Sequence, residues 1–282
     1  MMAQEAIPGQ AGSTPKGSAP PGRAIGGRLA AAIQPAVGFA IMLLVWQLLS
    51  YRLGRYLPPP GQVLALAFAN LTESRYLEGL GMPSGGFLPH LLSTTFTVLT
   101  GLALGNVVGI GAASAAWFSD TVDAALAPLA DVLGSIPILV AAPFFLIWFG
   151  PGDATKIGLV ALYAAAMLYA YAGAAFRNIR RAYVEYARTL GASRARCFRR
   201  VILPAALPEL FGGLRATLGA AWGLAVIAEL LGSTTGSGRI IIVAWGVSDV
   251  GLMLAGLLWI CGIAVGFDAL LMLIRKFALK WA

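Results

Sequence analysis

Residues 250–274 read VGLMLAGLLWICGIAVGFDALLMLI, an almost unbroken apolar run whose one charged side chain is Asp268. A helix needs about 20 apolar residues to cross the hydrocarbon core of a bilayer, so this run is long enough to span a membrane. Five similar runs precede it, at about 34–53, 89–117, 124–149, 155–176 and 207–231. The runs lack the strict alternation of barrel strands, so the sequence predicts an all-α polytopic membrane protein with six transmembrane helices.

The composition argues against several classes of protein. Of the 282 residues, 59% are apolar and only 11% are charged, whereas soluble domains carry about 25% charged residues. So few charges cannot cover a water-facing surface, which disfavours a soluble enzyme, a nucleic-acid-binding protein and a disulfide-stapled secreted domain. The net charge of +8 is explained by basic residues that flank membrane spans. Two cysteines, Cys197 and Cys261, and a single histidine, His90, are too few for a metal cluster.

The basic residues predict the orientation of the chain in the membrane. If six spans are correct, fifteen of the 20 lysines and arginines fall on one side, and eight of these lie between residues 177 and 200. The remaining five are Arg52, Arg55, Arg75, Lys156 and Arg239. Because basic residues accumulate on the cytoplasmic side, both termini are expected in the cytoplasm.

The chain divides into a tail and a membrane domain. Residues 1–33 are rich in Pro, Gly, Ser and Ala, and such a segment buries too little apolar area to offset its chain entropy. We therefore predict a disordered cytoplasmic tail over 1–33 and a six-span domain over 34–282. The tail is not expected to be a signal peptide, because the apolar run starts late and no small-residue cleavage site follows it.

The loop between spans four and five, at about 177–206, is the most informative part of the chain. Its arginines alone are also typical of a solvated basic loop without a partner. Gly191 suits a left-handed turn that ends one short helix, and Ser193 can N-cap a second. Pro204 and Pro208 are expected to stop that second helix before span five. The loop is therefore predicted to hold two short helices.

An ordered array within this loop consists of Glu185, Ala187, Gly191, Leu203 and Pro204. It resembles the EAA motif of ABC importer permeases, in which E-A-A is followed by three residues, G, nine residues and I-x-L-P. Tyr186 replaces the first alanine and Val201 the isoleucine. In that family the segment is the coupling helix, which docks into a groove on the ATPase subunit. The resemblance implies ATPase-coupling roles for Glu185, Tyr186, Ala187, Gly191, Ala192, Ser193, Leu203 and Pro204.

Further segments are similar to permeases for nitrate, sulfonates and taurine, and the resemblance covers most of the chain after about residue 55. These segments include Leu57-Pro58-Pro59-Pro60, Ile147-Trp148-Phe149-Gly150, Gly213-Leu214-Arg215 and Ala228-Glu229-Leu230. In span three, Gly134-Ser135 and Ala141 depart from that subgroup, which usually has arginine-proline and tryptophan there. Since the pathway is expected in this region, the substrate stays open among small oxyanions, sulfonates and vitamin precursors.

The resemblance implies a type I ABC importer permease architecture and a set of partners. The partners are a second copy of the chain, two ATP-binding cassette ATPase subunits, an extracytoplasmic solute-binding protein and the lipid of a bacterial inner membrane. The chain has no GxxxxGK[ST] phosphate loop, so ATP is expected on the ATPase subunits, and no cofactor, metal or catalytic residue is expected here. A nucleic-acid partner is not expected.

Two other classes of protein are considered. A secondary transporter or channel would show acid pairs within the membrane and an inverted repeat, and the sequence shows neither. An intramembrane enzyme would need clustered His, Asp, Ser or Cys in its spans, and one histidine is too few for most such sites. The importer permease is therefore favoured over both.

Polar and helix-breaking residues in spans three and five are the candidates for the pathway, because such residues are costly in lipid. They are Ser135, Pro137, Trp222 and Glu229. The alternative is that they only pack helix against helix. In span two, glycines recur every four residues, at Gly101, Gly105 and Gly109, and this spacing predicts close helix packing.

Overall fold

The computed structural model describes residues 21–280, and the regular secondary structure of this part of the chain is entirely helical, without strands. The helices are α1 (Pro21–Leu53), α2 (Pro60–Ala69), α3 (Arg75–Gly79), α4 (Leu88–Phe118), α5 (Asp120–Ser135), α6 (Ile138–Phe149), α7 (Asp153–Asn178), α8 (Arg181–Thr189), α9 (Arg194–Cys197), α10 (Leu203–Leu230), α11 (Ser237–Gly246) and α12 (Val250–Ala278). A 3₁₀ turn (Gly54–Tyr56) follows α1, and a π-helical turn (Phe198–Ile202) joins α9 to α10.

The chain separates into two units, and the first consists of residues up to Leu53. Within it, α1 begins at Pro21, so residues 21–33 are helical where the composition predicted a disordered tail. Three consecutive alanines, 30–32, have high helix propensity and favour this extension. The remainder of the predicted tail, residues 1–20, lies outside the described residues. From Gln34 onward the helix is long and apolar enough to cross a membrane.

The second unit, Gly54 to Ala282, holds the other predicted spans. Four of them are single spans in the structure: α4, α7, α10 together with the turns before it from Arg194, and α12. With α1, this gives five candidate spans in the described part of the chain, and a sixth if α5 and α6 are counted as one bent crossing. The prediction of an all-α polytopic membrane fold is confirmed.

Span three, predicted over 124–149 with Pro137 as a helix-breaking residue, is interrupted more sharply than by a kink. It is broken into α5 and α6, which are bent by 106° relative to each other. Pro137 cannot donate a backbone hydrogen bond, and it disfavours a helical conformation at the residue before it. Ile136 accordingly adopts extended angles, φ −75° and ψ 123°. The break therefore follows directly from the Ile136-Pro137 pair.

The centre of the second unit is formed by α4 and α7, which run parallel and in close contact. Where α4 carries its glycines, α7 presents Val160, Ala164 and Leu168. A Cβ added at Gly101 would lie 2.7 Å from the Cβ of Val160, and one at Gly105 would overlap the Cβ of Ala164. The predicted glycine stripe therefore does serve close helix packing.

Replacing Gly105 with leucine is expected to destabilise the fold by about 3 kcal/mol, at the upper end of the cost of over-packing. The side chain would push α4 away from α7. Gly111→Leu is the matched control, because Gly111 lies on the same helix with no other atom within 4 Å of an added Cβ. Thermal unfolding of the detergent-solubilised protein measures both variants. Equal melting temperatures for the two would contradict the packing role of Gly105.

Candidate functional site

The predicted coupling loop forms the end of the molecule where α4 and α7 both finish. Arg194 donates a hydrogen bond to the backbone carbonyl of Trp117, near the last turn of α4, at 2.9 Å. Gly191 has a φ of 77°, as the predicted left-handed turn requires. Ser193 caps α9 by accepting from the Arg196 backbone N–H at 3.4 Å. The two short helices, the turn and the cap are thus confirmed.

The expectation that Pro204 and Pro208 end the second short helix is wrong. Both prolines lie inside α10, and α9 continues into it through the π-helical turn. This wider turn replaces the ordinary hydrogen-bond pattern directly before Pro204, where proline cannot donate. The coupling loop is consequently joined to span five without an intervening flexible segment.

The helix α8 rests on a buried apolar cluster and exposes its other face. Val184 packs against the cluster that contains Phe176, Phe198 and Ile202. Leu203 packs against the same cluster from the start of α10. Glu185 is exposed and borders a solvent-accessible cavity beside α8, whereas Leu203 at the other end of the array is part of the packed interior.

Three large side chains on the face of α8 away from Glu185 form what we call the α8 stripe: Tyr183, Tyr186 and Leu190. They are 58%, 68% and 72% exposed. Their spacing of three and four residues places them on one helical face. Sequence reasoning selected Tyr186 but missed Tyr183 and Leu190, although the i, i+3, i+7 spacing was the available signal.

At the opposite end of the molecule, Glu229 is fully buried near the end of α10. Its two carboxylate oxygens accept from the Thr94 hydroxyl of α4 at 2.9 Å. Oε2 also accepts from the backbone N–H of Gly238, at the start of α11, at 2.9 Å. A buried carboxylate is stable only when such donors surround it, and here the donors come from two other helices.

The first backbone amides of α11 are bound by side chains of other helices. The Ser237 N–H donates to Thr94 Oγ1 at 2.8 Å, and the Gly236 N–H donates to His90 Nδ1 at 3.1 Å. Together with the Gly238 amide on Glu229, three successive N–H groups of a helix start are satisfied. We call Glu229, Thr94, His90 and these three amides the α11 cap. Sequence reasoning singled out Glu229 but missed Thr94 and the capping role of His90, which is buried.

The α11 cap depends on glycines. A Cβ at Gly236 would overlap the Glu229 carboxylate, and one at Gly238 would lie 2.7 Å from the Glu229 Cβ. Gly236 also has a φ of 107°, which L side chains rarely adopt. Gly236 and Gly238 therefore let the backbone reach the carboxylate.

The other three predicted pathway residues lie in two places. Ser135 and Pro137 are exposed at the break in span three. An apolar cavity of about 270 Å³ flanks that break and extends to Tyr163 of α7. Trp222 is buried, with its ring 5.8 Å from that of Phe267 in α12. The structure thus brings Ser135 and Pro137 together but places Trp222 and Glu229 in the interior.

Comparison with known proteins identifies the family to which the chain belongs. Residues 105–278 match the family described as the binding-protein-dependent transport system inner membrane component. The chain belongs to this family. The permease is 32% identical to the putative aliphatic sulfonates transport permease protein SsuC of Bacillus subtilis, covering 100% of this chain and 98% of that protein. It is 31% identical to the taurine transport system permease protein TauC of Escherichia coli, covering 86% and 87% respectively.

A third relative, the nitrate import permease protein NrtB of Synechocystis, is 29% identical over 81% of the permease and 82% of its own length. Among solved structures, the permease resembles the inward-facing MetNI methionine ABC transporter with a TM-score of 0.63 and 18% identity. The alignment covers 73% of the permease and 99% of that chain. The predicted type I ABC importer permease fold is confirmed. The permease is a multi-pass inner-membrane transport component and not an enzyme.

Proposed function

We propose that two copies of the permease form the transmembrane pathway of an ATP-driven importer for a small anionic solute, such as a sulfonate, taurine or nitrate. An extracytoplasmic binding protein delivers the solute, and two ATPase subunits power its transfer. The transport roles in the names of the three relatives support this substrate class. The alternative, a secondary transporter or channel without an ATPase partner, has no relative among those described above.

The observation that carries the ATPase coupling is the α8 stripe. An exposed aromatic and apolar patch beside a polar rim is typical of a protein interface. Tyr183, Tyr186 and Leu190 present such a patch, bordered by the exposed polar residues of the loop, while Val184 on the other face of α8 packs on the buried cluster. Because α9 and α10 are continuous through the π-helical turn, a displacement of α8 by an ATPase subunit would be passed to span five. ATP binding would then shift the population from inward-open to outward-open.

We assign the pathway to the break in span three. Ser135 and Pro137 are exposed on a single protomer, as residues at the axis of a dimer would be. Exposed backbone at a break is tolerated in a membrane only where it lines a cavity or meets protein. Trp222 and Glu229 were also expected to line the pathway. This stays a prediction for both, but their burial inside one protomer favours packing for Trp222 and the α11 cap for Glu229.

The orientation follows from the charge distribution. Eight of the 20 lysines and arginines lie in the coupling loop, between residues 177 and 200. In our proposal this end of the membrane domain therefore faces the cytoplasm, together with both termini. The α11 cap then lies on the outer side, where the binding protein docks. No nucleic acid takes part in this scheme.

Reconstitution tests the proposal. In proteoliposomes with its ATPase and binding protein, the permease is expected to take up solute only with ATP. Glu185→Arg is expected to reduce ATPase co-purification and uptake by at least about tenfold, roughly the loss of one charged hydrogen bond. Glu78→Arg reverses an exposed acid of α3, at the other end of the membrane domain, and serves as the control for ATPase co-purification. Uptake driven by an ion gradient without the ATPase would contradict the proposal.

A further inference from the structure

A second feature of the coupling loop is a cavity behind α8, on the side opposite to the α8 stripe. It has a volume of about 520 Å³. Four arginines line it, from three helices: Arg177 at the end of α7, Arg181 and Arg188 on α8, and Arg194 at the start of α9. We call it the arginine cavity. Basic side chains of one segment usually spread into solvent, whereas these converge on one concave site.

The charge of the arginine cavity is not balanced by the permease. Glu185 is the one acidic residue among those that line it. Among the described residues, the ion pairs join Lys156 to Asp153 and Arg215 to Asp268, and neither pair involves the cavity. Arg177 also lines a neighbouring cavity that contains Asp123, with its guanidinium against Gly173. The other three arginines, Arg181, Arg188 and Arg194, share one lining carboxylate, which leaves an excess of positive charge that an anion would neutralise.

The arginines also keep free donors. Arg194 uses one guanidinium nitrogen on the Trp117 carbonyl, and its Cζ lies 5.4 Å from the centroid of the Trp117 ring. This contact fixes the edge of the cavity. Arg181 and Arg188 lie seven residues apart, so they project from the same face of α8. A guanidinium group presents its N–H donors as a planar fork that matches two oxygens of a phosphate group.

The floor of the cavity is apolar. It is formed by Trp117, Phe176 and Ile202, and Phe176 and Ile202 belong to the buried cluster under α8. A cationic rim above an apolar floor, at the end of transmembrane helices, is the combination that favours the head group of an anionic lipid. An aqueous phosphate compound would find the same donors.

We propose that the arginine cavity binds a phosphate group, supplied by an anionic phospholipid head group or by a soluble phosphate compound. The bound phosphate bridges α7, α8 and α9 and so fixes α8 at the angle from which its stripe meets the ATPase. Only the effect of the bound phosphate on ATPase docking rests on the proposed function. Binding itself depends on the cavity alone.

Native mass spectrometry of the full-length permease, released from nanodiscs, tests the binding. One set of nanodiscs contains phosphatidylcholine with phosphatidylglycerol, and a second contains phosphatidylcholine alone with added inorganic phosphate or ATP. Retained phosphatidylglycerol identifies a lipid head group, and retained phosphate or ATP identifies a soluble source. Either result supports the site if Arg181→Gln/Arg188→Gln weakens retention by about fivefold for each arginine removed.

The matched control is Arg199→Gln/Arg200→Gln, which removes the same charge from exposed positions of the same loop that do not line the cavity. It is expected to retain the phosphate compound as the unchanged permease does. Equal losses in both double variants would show diffuse attraction to the loop and overturn the site. Unchanged retention in Arg181→Gln/Arg188→Gln would overturn it as well. Release of the phosphate compound on adding the ATPase subunits would make the cavity part of the docking surface and overturn the proposal.

Failure of this inference and failure of the proposed function are distinguishable. If the permease binds phosphate in the cavity but uptake needs no ATPase, the phosphate site is supported and the ATPase coupling is contradicted. If uptake depends on the ATPase but neither lipid nor phosphate is retained, the ATPase coupling is supported and the phosphate site is contradicted.

Discussion

Gly191→Val is expected to abolish uptake while the permease still inserts in the membrane. Gly191 has a φ of 77°, a conformation that costs a β-branched residue about 1–3 kcal/mol. No other atom lies within 4 Å of an added Cβ, so the cost arises from the backbone and not from a clash. The turn between α8 and α9 would relax to another conformation and turn the α8 stripe away from the ATPase. Co-purification of the ATPase and uptake in proteoliposomes measure the loss.

Gly191→Asn is the control that separates conformation from side-chain volume. Asparagine adopts the left-handed conformation more readily than other non-glycine residues, and the site has room for it. This variant is therefore expected to retain most of the uptake. If Gly191→Val transports normally, or if both variants lose ATPase binding equally, the turn does not position the stripe.

The sequence was informative where structure depends on neighbouring residues. Gly191 and Ser193 predicted the turn and the cap correctly, because a positive φ and an N-cap are set by the residue at the position itself. The glycine stripe of α4 was equally readable from its four-residue spacing. Pro137 indicated an interruption of span three, but a 106° bend depends on what the two halves pack against.

What the sequence could not show depends on residues far apart in the chain. Thr94 and Glu229 are separated by 135 positions, so nothing near Glu229 identifies its donor. Glu229 was interpreted as a pathway residue because the sequence shows the apolar residues next to it in α10. The sequence does not show its hydrogen-bond donors, which lie on other helices. Pro204 failed as a helix stop for a similar reason: the preceding π-helical turn forms over the buried cluster of Phe176 and Phe198.

Glu229→Ala is expected to destabilise the permease by about 2–3 kcal/mol. It leaves the buried Gly238 N–H without its acceptor, and the Thr94 hydroxyl must turn to the His90 carbonyl or to Ser237 Oγ. A buried donor without a partner costs about 1–3 kcal/mol, or more when the lost partner is charged. The start of α11 would detach from α4 and α10. Thermal unfolding in detergent gives the loss of stability, and uptake is expected to fall with it.

Glu229→Gln is the conservative variant, because its amide oxygen still accepts from one donor. It is expected to lose less than half as much stability as Glu229→Ala. Combining Glu229→Ala with Thr94→Ala gives a second test, since residues that share a hydrogen bond lose less together than the sum of the single losses. Strictly additive losses would contradict direct coupling within the α11 cap.

The pathway alternative predicts a different outcome for the same variants. If Glu229 lined the pathway, Glu229→Ala would leave the melting temperature unchanged and alter the rate or selectivity of uptake. Ser135→Leu provides the comparison, because Ser135 is exposed at the break and its hydroxyl bonds only within its own helix, to the Val132 carbonyl, at 2.9 Å. We expect Ser135→Leu to change uptake at constant stability and Glu229→Ala to change both. A stable Glu229→Ala protein with altered selectivity would return Glu229 to the pathway and remove it from the α11 cap.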